Sequence, residues 1–201
     1  MNYPKIRIKN AWLLKDAASV HLHELWAEPG QKLPSDEKLE EIVGAYRKAW
    51  KPYEKKVIEG MCKVLGLEFR QNTIDVYIAP WFLAFSDPMV IGIKSKPDRF
   101  VDILTHEILH RLLTDNTRDE YPMDYVAKWE KLFGKDHSFV TLVHIPVHAA
   151  HKALLLDVLD EPKRLERDIA LCSKHEDYKK AWDYVEKNGY KEIIEKLIKG
   201  D

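Results

Sequence analysis

The stretch VDILTHEILHRLL, Val101 to Leu113, decides how this chain is read, because it holds His106-Glu107-Ile108-Leu109-His110. In a helix, residues four apart lie about 40° apart around the axis, so His106 and His110 share one face. One tetrahedral metal ion can take a nitrogen from each, with Glu107 projecting beside them. Two imidazoles that hold a zinc ion, next to a carboxylate able to take a proton from water, suit metal-assisted hydrolysis. Val101, Leu104, Ile108 and Leu112 fall on the opposite side, and Leu109 and Leu113 widen that apolar flank. The helix is therefore expected to pack by its back and present its histidines. Pro97-Asp98 marks its start, and Thr114-Asp115-Asn116-Thr117 its stop. The bland alternative is a buried amphipathic helix whose histidines only hydrogen-bond to neighbours.

The segment Val101 to Leu112, with HEILH at its centre, resembles the active-site helix of the zincin metallopeptidases. The resemblance implies that His106 and His110 bind one zinc ion and that Glu107 is the general base. It covers about a dozen residues. Arg111 stands where the longer family pattern prefers an uncharged residue. The metzincin extension is absent, since residues 111–117 read RLLTDNT. The implied fold is α+β: a mostly helical, zincin-like fold with a small mixed sheet, the HExxH helix and a downstream histidine-bearing helix.

A catalytic zinc takes three protein ligands and leaves one position open. The best source of the third is VHIPVHAAHKALLLDVL, Val143 to Leu159, where His144, His148 and His151 form one helical stripe among apolar residues. A helix so apolar is expected to be buried, and a buried imidazole needs a partner. His148 is the expected ligand, being central in the stripe. Pro146 suits a first helical turn, which would leave His144 at the entrance. His144 is the second choice; the one that is not a ligand would donate to the oxyanion of the tetrahedral intermediate, a catalytic role. His151 has the same options or lines the core. The gluzincin branch, whose layout the chain resembles, uses a glutamate instead. Glu130 has a suitable spacing, but Gly134 stands where a supporting aspartate is expected. Glu120 and Asp124, read as loop residues, rank lower.

Composition sets bounds. The chain has 201 residues, 45% hydrophobic and 32% charged, as in an ordinary globular protein. The expectation is a single domain over 1–201, with 1–35 as an N-terminal extension and 160–201 as a C-terminal helical region. A net charge of -1 gives no basic footprint for nucleic acid. No run is read as approaching a membrane span, and the N-terminus lacks a secretion-signal core, so no membrane partner and a cytoplasmic location are expected. Cys62 and Cys172 match no zinc-ribbon spacing and read as reduced, packed thiols.

Elsewhere, Ile6 and Ile8 alternate with charged residues, a weak strand signal, while the stretch from Ala11 to Pro34 resists assignment. His21, His23 and Glu24 within it read as a solvated cluster rather than a metal site. A helical pattern runs from Asp36 to Leu65, started by Ser35-Asp36, bent or divided by Pro52 and ended by Gly66. Thr73 to Ala79 and Met89 to Lys94 read as strands. Met89 to Ile93 is either an edge strand lining a substrate cleft or an interior strand, and Trp81, Phe82 and Phe85 are either core or cleft wall. Helices are expected over Glu161 to Leu171 and Asp177 to Lys187, with a last short one before Gly200.

The functional expectation is a zinc metallopeptidase acting on a peptide or protein substrate, with metal on His106, His110 and His148 and Glu107 as base. The alternative is a non-catalytic, zinc-stabilised module that binds a partner protein. A third reading is a helical interaction protein without metal. Peptide deformylases share the pentapeptide, but the glycine-rich and cysteine-bearing blocks they also need are absent.

Overall fold

The computed structural model describes residues 3–21, 32–117 and 124–200. The chain forms two compact units: Pro4–Glu54 with Gln71–Glu107, and Met1–Tyr3 with Lys55–Arg70 and Ile108–Asp201. Helices dominate beside a small mixed sheet, so the chain is α+β.

The first unit carries the sheet. Strand β1 (Lys5–Asn10) runs parallel to β2 (Thr73–Ala79), with Lys5 opposite Thr73 and Asn10 opposite Ile78. Strand β4 (Met89–Gly92) lies parallel on the other side of β2, and β3 (Phe85–Ser86) pairs with it antiparallel, giving the order β1-β2-β4-β3. Strand β4 is thus interior, and the two-residue β3 takes the edge that Met89 to Ile93 was a candidate for. Alternation buries Ile6 and Ile8 in β1, and Ile74, Val76 and Ile78 in β2. Helix α1 (Trp12–His21) follows β1, and α2 (Asp36–Trp50) packs on it. Ser35 caps α2 by accepting from the Lys38 amide at 3.2 Å, and Arg47 donates to the Ile8 carbonyl. His23 and Glu24 lie outside the described residues.

Pro52 divides the long helical pattern as expected, and α3 (Glu54–Leu65) follows before Gly66 turns left-handed at φ +65°. Helix α4 (Pro97–Thr117) carries HExxH, and the division between the units falls within it. Its back is buried as the pattern demands: Val101, Leu104, Ile108, Leu109, Leu112 and Leu113 are all in the core. It also runs through its expected stop signal, because Asn116 turns its amide onto the Leu112 and Glu68 carbonyls instead of ending the helix. Arg111, the residue that departs from the zincin pattern, pairs along the same helix with Asp115 at 3.3 Å.

The second unit is helical. After α3 and the last turns of α4 come α5 (Asp124–Phe133), α6 (Phe139–Ala153), a π-helical turn (Leu154–Val158), α7 (Pro162–Cys172), α8 (Glu176–Asn188) and α9 (Tyr190–Lys199). Asp124 opens α5 rather than lying in a loop, and Glu120 is outside the described residues. Helix α6 packs against α5, α8 and α9. It starts at Ser138, whose hydroxyl accepts from the Thr141 amide and donates to Asp177 at 2.6 Å. Pro146 therefore sits inside the helix and not in its first turn. Gly60 of α3 is a close-approach position, because a Cβ there would stand 2.8 Å from both Leu154 and Val158.

One correction follows from α6. Phe139–Val158 is long and apolar enough, by length and composition, to cross a membrane, contrary to the expectation that no run approaches that length. It is 72% buried inside the protein, which accounts for its apolar character without a bilayer.

Candidate metal centre

Helix α4 places His106 and His110 one turn apart on one face, and α6 brings His144 to them. The ligand atoms of these three residues all lie within 4.8 Å of one another. His110 Nε2 and His144 Nε2 are 3.2 Å apart, with rings edge-on. Two nitrogens bound about 2.0–2.1 Å from one tetrahedral zinc would stand about 3.3 Å apart, so this spacing fits shared ligation. The second nitrogen of His144 supports the same role. Its Nδ1 lies 2.6 Å from the Val140 carbonyl, a contact in which only a protonated Nδ1 can donate, leaving Nε2 with its lone pair facing His110.

His148, the expected third ligand, does not join the group. It is fully buried and stacks on Trp182, with ring centroids 4.3 Å apart and planes 12° apart. The difference traces to the start of α6. With Ser138 as the cap, His144 lies well inside the helix and its face is directed at His110. One turn later, His148 meets α8. His151 is also fully buried and approaches Asp168 of α7, Nδ1 to Oδ2 3.5 Å. Glu130 of α5 is not part of the cluster either. The stripe of three histidines therefore splits into one facing the centre, one stacked on an indole and one beside a carboxylate.

Glu107 is buried, and loss of water pushes its carboxyl up to about 8. Burial also lowers His144, opposed by its contact with the Val140 carbonyl and by the charge of Asp177. His148 is held well below the usual imidazole range, first by burial and then by the neighbouring His144. Neutral imidazoles are the form a metal requires.

Sequence reasoning missed Tyr178, whose ring lies 4.2 Å from His144 and 6.1 Å from His148. Tyr178 and Trp182 are evident as the apolar face of α8, but nothing in their spacing says that this face meets the histidine stripe. Comparison of the chain with protein families, with curated proteins and with solved structures finds no match.

Proposed function

We propose that the protein is a zinc-dependent metallopeptidase of the zincin kind, with His106, His110 and His144 as metal ligands and Glu107 as general base. The observation that carries this reading is the convergence of three imidazoles, two of them from an HExxH helix with its glutamate intact. A three-histidine set with a fourth position left open suits zinc in a catalytic rather than a closed structural site. When bound, a divalent cation there would lower the pKa of a water and polarise the scissile carbonyl. The positive charge of a bound cation would favour the ionised form of the buried Glu107, which would then accept the proton of the attacking water on a carboxylate oxygen and return it to the leaving amine. The Val140 carbonyl would hold His144 in the tautomer that ligates through Nε2.

The test is hydrolysis of casein and of a mixed peptide digest by zinc-loaded protein, with and without chelator, beside Glu107→Gln. Chelator should abolish cleavage. The variant should keep its zinc and lose about 10²–10⁴-fold in rate. Undiminished cleavage by the variant would refute the base. Stoichiometric zinc with no cleavage of any peptide would favour the second reading, a metal-stabilised module that binds a partner protein.

A further inference from the structure

Helix α8 begins beside the start of α6. Asp177, in the first turn of α8, accepts from the Ser138 hydroxyl at 2.6 Å and from the Thr141 hydroxyl at 3.2 Å. We propose that Asp177 is a positioning residue for the metal centre: by fixing the first turn of α6, it holds the Val140 carbonyl where that carbonyl orients His144. This rests on the reading of His144 as a metal ligand and extends the site to a third helix.

Three observations carry it. The first is what orients the ligand. His144 faces its Nε2 to His110 at 3.2 Å while its Nδ1 lies 2.6 Å from the Val140 carbonyl. The outer partner of a ligating imidazole sets its tautomer and direction, so whatever moves this carbonyl moves the ligand. The carbonyl belongs to the second residue of α6, in a terminal turn whose first amide hydrogens have no partner within the helix. Such a turn frays unless side chains tie it down.

The second is the chemistry of the tie. Ser138 accepts the Thr141 amide at 3.1 Å. Its own hydroxyl hydrogen, and that of the fully buried Thr141, then need acceptors, and a carboxylate accepts without donating. A hydrogen bond to an ionised acceptor is roughly twice as strong as a neutral one, and the short contact from Ser138 has the length of such a bond. The same carboxylate stands at the amino ends of both α6 and α8, where negative charge is favoured.

The third is the neighbouring residue. Tyr178 follows Asp177 in the chain and puts its ring 4.2 Å from that of His144. One turn of α8 therefore walls the ring of this ligand and, through the cap of α6, secures its second nitrogen.

The test is the zinc affinity of the full chain, read by competition with a chromophoric chelator. Asp177→Ala should bind zinc about 10–100-fold more weakly than the wild type, the cost of losing an outer-shell partner. Asp177→Asn keeps an acceptor oxygen, should recover part of that loss, and serves if Asp177→Ala does not fold. Ser35→Ala removes the comparable cap of α2 and should lower Tm with zinc affinity unchanged. In a His144→Ala background, Asp177→Ala should cost no further affinity, because the ligand it positions is gone.

Wild-type zinc affinity in Asp177→Ala overturns the proposal. So does an equal loss in Ser35→Ala, which would make the effect one of general stability, and so does a loss that persists without His144. The readings beneath it fail separately. Unchanged zinc affinity in His144→Ala removes the ligand and its positioning together. Zinc binding that follows the expected pattern, with no cleavage of any peptide, keeps the positioning and removes the peptidase.

Discussion

Helices α4 and α6 both carry histidines at helical spacing, yet they differ in what local pattern can say about them. On α4, one pentapeptide carries two of the three clustered histidines and the glutamate beside them, which is the arrangement the proposed chemistry would need on one face. On α6, three histidines on one stripe look interchangeable, and their roles diverge only through what each meets: His110, Trp182 or Asp168. Periodicity gives the angle of a side chain around its own axis. It gives no information on which neighbour lies at each height.

The largest effect that would sharpen this contrast is on metal binding. His144→Ala should lower zinc affinity by more than the roughly 10–100-fold that loss of an outer-shell partner costs, while His148→Ala should retain stoichiometric zinc. Elemental analysis after dialysis reads both, and the reverse pattern would restore His148 as the ligand. His148→Ala should instead destabilise the fold by about 2–4 kcal/mol through loss of its packing against Trp182, measured by urea unfolding.

Next in size is Gly60→Ala. Its added methyl would press on Leu154 and Val158 and cost about 1–3 kcal/mol, seen as a lower Tm with zinc content unchanged. An unaltered Tm would mean that the π-helical turn yields easily.

The smallest effect concerns the two thiols. Burial pushes Cys62 up to about 11, whereas Cys172 is half-buried. At pH 8 an alkylating reagent should modify Cys172 well before Cys62, as intact mass shows over time. Because the folded thiol keeps its proton above the ordinary value of 9, the stability this contributes is full below pH 9. It should drain away as pH rises from 9 through 11. Equal alkylation of both at pH 8 would contradict the burial.

Much of the framework was legible. Ser35, Pro52 and Gly66 each mark a boundary by a local mechanism, and they bracket α2 and α3 as expected. The strand over Thr73–Ala79 declared itself by alternation. What failed was punctuation read too literally. Pro146 resembles a helix start because it lacks an amide hydrogen, but the Ser138 cap, tied to Asp177, begins α6 earlier and carries the proline inside. That displacement moves His144 from the expected helix entrance to the interior, where it, and not His148, meets His110. Likewise Thr114 to Thr117 read as a stop, until Asn116 found carbonyls to hold. Helix α1 carried no usable signal, with Trp12 and Leu13 both exposed.

Because α6 and its π-helical turn are apolar along twenty residues, the native packing around them conceals a segment that water would otherwise have to solvate. Heated or chemically denatured chains would lay that span bare in every copy at once, and such spans cohere. Recovery from denaturant should therefore depend on how dilute the protein is, a handling property set by the same helix that delivers His144.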